Sequence, residues 1–199
     1  VEPTTSAGSA NDWSSVAVSG VFDIALNAGG LHSAAIKADG SLWLWGSNDH
    51  GQLGDGTTED RHTPVQVGVG ASWRAVVCGP LHTLALRADS TLWAWGYNHF
   101  GQLGLGDTAE VHTPTQAGTD HDWWSISGFN DHSLGLKGDS SLWSWGHNHY
   151  YQLGFYNDNQ PKWQPTHVGT DTDWRAIATG TNYSFAVKND GTLWCEQPM

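Results

Sequence analysis

One segment returns along this chain at nearly constant spacing. DGSLWLWGSNDHGQLG occupies residues 39–54, close copies occupy 89–104 and 139–154, and a shortened copy begins at 190. The Leu-Trp pair of each copy begins at residue 42, 92, 142 or 193, so the period is 50 or 51 residues. Self-similarity at such a period is typical of repeat architectures. The repeated residues are therefore expected to build the fold, and function is sought where the copies differ.

The repeat predicts β-strands rather than helices. Apolar residues alternate over short runs such as Ser-Leu-Trp-Leu-Trp-Gly, and Gly, Asn, Asp or Pro ends each run within about ten residues. Strand hairpins are predicted near 31–46, 81–96, 132–146 and 182–195. A unit of about 40–50 residues with four short antiparallel strands has the size of one propeller blade. We therefore expect residues 1–199 to form a single all-β propeller domain with four repeat units.

An extended motif gives these units a resemblance to a known family. It reads Gly-x-x-His-(Ser/Thr)-x-Ala-(Leu/Ile)-(Lys/Arg)-x-Asp-Gly-x-Leu-Trp-x-Trp-Gly-x-Asn-x-x-Gly-Gln-Leu-Gly and runs through residues 29–195. The motif resembles the regulator-of-chromosome-condensation repeat, particularly its bacterial versions. This resemblance implies a β-propeller, usually of seven blades. A chain with four hairpins is short by that standard.

The N-terminal residues suggest how four units close. Residues 3–8 match residues 114–118, and residues 12–20 match residues 122–128. These are the strands that the last hairpin lacks, so we expect N-terminal strands to complete the last blade and protect its edge. The expectation allows a closed four-unit ring, a larger ring in which two chains exchange strands, or a part of a seven-bladed parent.

Charge and hydropathy narrow the classes of partner. The formal net charge is -12, and the eight Lys and Arg residues are scattered singly, so no cluster of cations is available to neutralise phosphates. Nucleic acid is therefore not expected as a partner. No apolar stretch approaches the roughly 18–20 residues that span a bilayer, so no membrane association is expected. The compartment is not determined, and secretion is favoured over the cytoplasm for this acidic, soluble chain.

The histidines predict architecture rather than catalysis. His32, His82 and His132 share one repeat position, and a hydrogen bond from a partly buried ring to the neighbouring blade explains the repetition. His147 and His149 are the best metal candidates, but they lack the short fixed ligand spacings of a zinc site, and solvated loop histidines are expected. No nucleophile elbow, phosphate loop or pair of carboxylates is found. We expect no enzyme activity, no metal and no cofactor.

Aromatic residues outside the repeat pattern are the candidates for recognition. Most of the 13 Trp residues recur at fixed positions and are expected to pack between blades. The irregular aromatic residues are concentrated in the long loops, where exposed rings on a rigid scaffold suit protein hot spots or sugar stacking. The candidate binding residues are Tyr97, Phe100, Trp124, Tyr150, Tyr151, Phe155, Tyr156 and Trp163.

The expected function is protein binding through the loop-bearing face, as an adaptor or an enzyme inhibitor. Members of the family that the motif resembles include exchange factors for a small GTPase, inhibitors of secreted enzymes and an ultraviolet photoreceptor, so the fold alone does not select among them. A carbohydrate-binding lectin is the first alternative, because residues 20–30 resemble tectonin-type lectin repeats. The second alternative is a propeller fragment that forms a homo-oligomer by strand exchange to complete a ring.

Overall fold

The computed structural model describes residues 13–18 and 32–196, where fifteen β-strands form four antiparallel sheets. The first sheet contains β1 (Trp13–Val18), β2 (His32–Lys37), β3 (Leu42–Gly46) and β4 (Arg61–Val67). The second contains β5 (Trp73–Cys78), β6 (His82–Arg87), β7 (Leu92–Gly96) and β8 (Val111–Gln116). The third contains β9 (Trp123–Phe129), β10 (His132–Lys137), β11 (Leu142–Gly146) and β12 (Lys162–His167). The fourth contains β13 (Trp174–Thr179), β14 (Ser184–Lys188) and β15 (Leu193–Glu196).

Strands follow chain order within every sheet, which is the up-and-down arrangement of a propeller blade. The prediction of an all-β fold built from four antiparallel units is therefore confirmed. Within the described ranges, no helix has the length and apolar character needed to cross a bilayer.

The central hairpin of each sheet turns at an Asp residue. In the second sheet, Asp89 Oδ1 accepts hydrogen bonds from Thr91 N at 3.1 Å and from Thr91 Oγ1 at 2.6 Å. An Asp side chain that binds the backbone two residues further on stabilises such a tight turn. Ser90 within the turn has a φ of 64°, the left-handed conformation that Gly40 adopts at the same repeat position. Trp93 Nε1 then donates to Thr91 Oγ1 at 2.8 Å, which orients the first Trp of the return strand.

Apolar clusters join each sheet to the next. Leu42 and Leu44 of the first sheet are fully buried and belong to one cluster with Trp73 and Trp95 of the second sheet. Trp73 packs edge-to-face against Trp93 and Trp95, with ring centroids 6.0 Å apart in both pairs. Such pairs contribute about 0.5–1.5 kcal/mol beyond the burial of their area. The prediction that most Trp residues serve packing between blades is confirmed.

The repeated histidines bridge neighbouring sheets. His32 Nε2 lies 2.8 Å from Thr83 Oγ1, and that hydroxyl donates its proton to Gln52 O at 2.7 Å, so the ring is the donor to the hydroxyl. His132 repeats the contact with Ser184 Oγ at 3.1 Å. The predicted hydrogen bond to the neighbouring blade is therefore present, although these rings are completely buried rather than partly buried.

His82 departs from this pattern, although it occupies the same repeat position. Both of its ring nitrogens are buried and have no hydrogen-bond partner in the described part of the chain. Burial lowers the pKa of His82 to about 4, and burial lowers the pKa values of His32 and His132 to about 3. All three rings are therefore neutral at pH 7.

The N-terminal strand completes the first sheet and not the last one. Residues of β1 pair with β2, for example Val16 with Ala35. The prediction that N-terminal strands complete the last blade is therefore wrong for this strand. Trp13 occupies the repeat position of Trp73 and Trp123, which open the first strand of a blade, and such a strand pairs with the strand that follows it. The closure expectation also depends on residues 3–8, and the lectin expectation depends on residues 20–30. Both stretches lie outside the described residues.

Candidate functional site

Three long loops lie at one end of the molecule. Each connects the third and fourth strands of one of the first three sheets. A buried Asn holds each loop together. In the second loop, Asn98 Oδ1 accepts from Leu103 N at 3.0 Å, and Asn98 Nδ2 donates to Ala109 O at 2.9 Å. Asn48 Oδ1 makes the corresponding contact with Leu53 N at 2.9 Å. The loops therefore have fixed backbones although they contain no regular strand.

A Gln in each loop fixes the residue two positions before it. Its side-chain oxygen accepts the backbone N–H of that residue at 2.9–3.0 Å in all three loops. The residues held in this way are His50, Phe100 and Tyr150. Since this contact involves only the main chain of the residue that is held, the side chain at this position is free to differ between copies. Sequence reasoning missed the role of Asn and Gln, although their recurrence in every loop was the available signal.

Rings from the three loops contact one another in a continuous row, called here the ring belt. It consists of His50, Tyr97, His99, Phe100, His147, His149 and Tyr150. The contact from the first loop to the second joins His50 and Tyr97, with centroids 4.9 Å apart. The contact from the second loop to the third joins Phe100 and His147 at 4.4 Å. The loop histidines were expected to be solvated; His99 and His149 are indeed exposed, and their rings also contact other rings of the belt.

Trp163 extends this surface along the outer strand of the third sheet. A Cβ atom added to Gly101 would lie 2.6 Å from Trp163 Cδ1, so the indole packs directly against the turn after Phe100. Trp163 is nevertheless 49% exposed. In the third loop, Tyr151 occupies the repeat position of Gly101, and its φ of 61° is left-handed. A bulky residue in that conformation costs about 1–2 kcal/mol, which Gly avoids.

The predicted binding residues separate into two regions. Tyr97, Phe100 and Tyr150 lie in the ring belt, and Tyr151 and Trp163 lie beside it in the sequence or in space. Tyr156 is 69% exposed in the same third loop, whereas Phe155 packs against the apolar cluster that joins the third and fourth sheets.

Trp124 lies at the other end of the third sheet. It follows Trp123, which pairs with Lys137 near the hairpin turn, whereas His132 at the opposite end of β10 pairs with Gly146 before the long loop. Trp124 is 51% exposed there. The structure therefore does not bring Trp124 together with the loop residues.

The loop end of the molecule is acidic. The long loops contain Asp49, Asp55, Glu59, Asp60, Asp107, Glu110 and Asp158. The two nearest cations are already paired, Arg61 with Asp55 at 2.6 Å and Lys162 with Asp158. Glu110 Oε1 lies 2.9 Å from His50 Nδ1 in the ring belt. Burial raises the pKa values of Asp131 and Tyr97, and burial lowers the pKa of His147.

Four other cations have architectural positions. The amine of Lys137 lies over the Trp143 ring at 4.3 Å from its centroid, and the guanidinium of Arg87 lies over the Trp93 ring at 3.4 Å. Lys37 and Lys188 repeat the contact with a Trp in their own sheets. Cation–π contacts of this kind hold the cations within the blades.

No group of three or more His, Cys, Asp and Glu residues is arranged to hold a metal ion in the part of the chain that the structure describes. Cys78 is buried and burial raises the pKa of its thiol, so it is a poor nucleophile.

Comparison with known proteins identifies what the repeat is similar to. The regulator of chromosome condensation (RCC1) repeat matches residues 39–86, 89–136 and 139–187. A stretch of 41 residues is 49% identical to the human E3 ubiquitin-protein ligase HERC2, and it covers 21% of this chain and 1% of that protein.

Two solved structures show the same arrangement of blades. Prp20p from Saccharomyces cerevisiae is 26% identical, with a TM-score of 0.72 over 82% of this chain and 42% of that one. Human WBSCR16 is 22% identical, with a TM-score of 0.74 over 83% of this chain and 44% of that one. This chain therefore spans less than half of either solved structure. The prediction that the repeat is of the bacterial type is not supported, because these relatives are human and yeast proteins.

Proposed function

Because the chain belongs to the regulator of chromosome condensation (RCC1) repeat family, we propose that it is a non-enzymatic scaffold that binds another protein through the ring belt. One relative, solved in two structures, supports a role in protein binding. This protein, yeast RCC1 (Prp20p), binds Gsp1p and histones, and it has also been solved bound to Kap60. An adaptor and an enzyme inhibitor both use such a scaffold, and no cofactor is needed for either role.

The ring belt is the observation that carries the proposal. Interface hot spots are aromatic residues that are held rigidly and are surrounded by contacts that exclude water. The belt supplies the rigid part of this requirement, because its backbone is fixed by buried Asn and Gln side chains and its rings support one another across three loops, and a bound partner would exclude the water. Its side chains also differ from copy to copy, as expected for residues selected for recognition rather than for folding.

Charge indicates the kind of partner. The loops that carry the belt contain seven carboxylates, of which Glu110 contacts His50, while Arg61 and Lys162 are already paired with loop carboxylates. A partner with basic residues around an apolar centre complements this surface. Attraction of this kind accelerates association and weakens as salt is added, because charges separated by more than about 8 Å are screened at physiological ionic strength.

The experiment uses purified core histones and a small GTPase of the Gsp1p type as probes. We expect saturable binding of at least one probe, and at least a tenfold loss of affinity, or about 1.4 kcal/mol, when Phe100→Ala and Tyr150→Ala are combined. Val69→Ala is the matched control, since Val69 is 80% exposed on a turn at the other end of the molecule. Equal affinity of the double variant and the control would refute the role of the belt.

A groove beside Trp163 favours carbohydrate as a second ligand. It has a volume of about 580 Å³ and is lined by Gln160, Lys162, Trp163 and Gln164, among others. An exposed indole flanked by amide groups can stack on a sugar ring and bind its hydroxyls. A glycan array compares the chain with its Trp163→Ala and Tyr151→Ala variants. Saturable binding that is lost in Trp163→Ala supports the lectin role, and absence of binding at millimolar sugar excludes it.

A further inference from the structure

Arg74 joins two sheets at the turn end, opposite the ring belt. It is the second residue of β5, and its guanidinium donates to the carbonyl oxygens of Trp123 and Trp124, the latter at 3.1 Å. Both oxygens belong to β9 of the next sheet. A planar guanidinium suits this gap, because it presents several N–H donors in fixed directions. The chain therefore contains its own example of how an arginine fits between two blades.

The next gap has the same backbone arrangement with a different side chain. Trp124 occupies in β9 the repeat position of Arg74, and an indole has a single N–H donor. It cannot donate to two oxygens in β13 as Arg74 does in β9. A cleft of about 180 Å³ remains between the third and fourth sheets, called here the turn-end cleft. It is lined by Trp124, Lys137, Ser140, Trp174, Arg175 and Asn189, among others.

Carboxylates outnumber cations around the turn-end cleft. The Lys137 amine has two carboxylate oxygens at 2.6 and 3.5 Å, and the Lys188 amine has two at 2.6 and 3.2 Å. The carboxylates are those of Asp120, Asp122, Asp171 and Asp173. Arg175 is the remaining cation, and it occupies the repeat position of Arg74, whose side chain reaches to the following sheet. Arg175 itself lines the cleft, so four carboxylates stand against three cations there, and the opening keeps a small excess of negative charge.

We propose that the turn-end cleft binds an arginine side chain of a partner protein. The guanidinium stacks on the Trp124 indole, which is 51% exposed, and donates to the backbone oxygens of Trp174 and Arg175. This is the contact that Arg74 makes within the chain, supplied here from outside. Lysine is the weaker ligand, because an ammonium is a compact point charge without a planar set of donors. The cleft is separate from the ring belt, so each site can fail without the other.

The test follows the Trp124 indole N–H by nuclear magnetic resonance in the ¹⁵N-labelled chain, with Trp124→Phe used to assign the signal. The probes are the tripeptides Gly-Arg-Gly, Gly-Lys-Gly and Gly-citrulline-Gly, the last being neutral and similar in shape to arginine. We expect saturable shifts with the arginine peptide at millimolar concentration, and at least about fivefold weaker binding of the other two. No shift with the arginine peptide at about 10 mM, or equal binding of the lysine peptide, overturns the proposal.

Trp124→Arg is the decisive variant, because it recreates the Arg74 contact inside the cleft. It should fill the site, abolish the arginine-induced shifts at the backbone amides of Ser140 and Asn189, and raise the Tm. Tyr183→Ala is the matched control, since Tyr183 is 41% exposed and precedes β14 at the opposite end of the fourth sheet. Arginine binding by Trp124→Arg with wild-type affinity overturns the proposal, as does loss of binding in the control.

Discussion

Replacement of Asn98 by Ala removes the side chain that holds the second long loop together. Asn98 is fully buried, and its oxygen accepts from Leu103 N at 3.0 Å. Its nitrogen donates to Ala109 O at 2.9 Å and to Asp107 O at 3.1 Å. Three hydrogen bonds of about 0.5–1.5 kcal/mol each predict that the free energy of unfolding falls by about 3 kcal/mol. In a chain of this size the Tm then falls by roughly 6–12 °C.

Asn98→Asp preserves the shape of the side chain and replaces a donor by an acceptor. The new carboxylate faces two carbonyl oxygens, so the pKa of this group in the folded state is raised above the value of about 3.9 in the unfolded chain. The folded protein holds this proton more tightly, and the variant therefore loses stability as the pH rises through the window above pH 3.9. At low pH the protonated carboxyl donates one hydrogen bond, and part of the loss is recovered.

Urea unfolding followed by Trp fluorescence measures both effects at pH 7.5 and pH 4.5. Wild type is measured at each pH, because the difference between variant and wild type isolates residue 98. Asn157, which is exposed in the third loop, supplies the control substitutions to Ala and Asp. A loss below about 0.5 kcal/mol for Asn98→Ala refutes the structural role assigned to this amide. The difference in the free energy of unfolding between Asn98→Asp and wild type should be smaller at pH 4.5 than at pH 7.5. An equal difference at both pH values refutes the electrostatic argument.

Four further predictions follow from individual residues. The first concerns the buried histidines, His32, His82 and His132. Burial lowers their pKa values to about 3, 4 and 3, so the unfolded chain binds protons first as the pH falls below about 6.5. Stability should fall by up to about 1.4 kcal/mol per pH unit for each ring, and constant urea midpoints from pH 7.5 to 5 contradict this. A thiol reagent should label Cys195 and spare the buried Cys78 in the native chain, and labelling of both contradicts the burial. Leu193 is 61% exposed where other copies bury Leu, so we expect self-association by light scattering that Leu193→Ser abolishes; a monomer at high concentration contradicts it. Tyr151→Gly should stabilise the chain by about 1 kcal/mol by relieving its left-handed backbone, and an unchanged Tm contradicts this.

The blades are predictable because local and long-range signals agree in each copy. The Asp of each hairpin turn binds the residue two positions on, and the Leu-Trp alternation that follows places Leu42 in the core. The position of β1 is less predictable, because the sequence of a strand identifies its type but not its neighbour. Trp13 resembles Trp123 whether its strand joins the first sheet or the last. Only the pairing of Val16 with Ala35 distinguishes the two arrangements.

The candidate site is predictable in its aromatic residues and not in its arrangement. Exposed loop aromatics such as Phe100 and Tyr150 stand out because they break the repeat. The histidines between them also vary, but a histidine in a polar loop has no sequence signal that distinguishes stacking from solvation. Trp124 shows the opposite problem. It breaks the repeat as the loop aromatics do, yet β9 carries it to the other end of the molecule.

In each long loop, main-chain contacts fix the conformation, so the side chains of the ring belt can differ while the fold is kept. Gln52, Gln102 and Gln152 bind the main chain of the residue two positions before them, so the loop conformation does not depend on that residue's side chain. The same Gln residues accept hydrogen bonds from the neighbouring blade through their carbonyl oxygens, as Gln102 does from Trp145 Nε1 at 2.9 Å. Each loop is therefore anchored on both sides by backbone contacts. We therefore expect that His50, Phe100 and Tyr150 can be exchanged at little cost in stability, and, under the proposed function, the order of rings along the belt would select the partner.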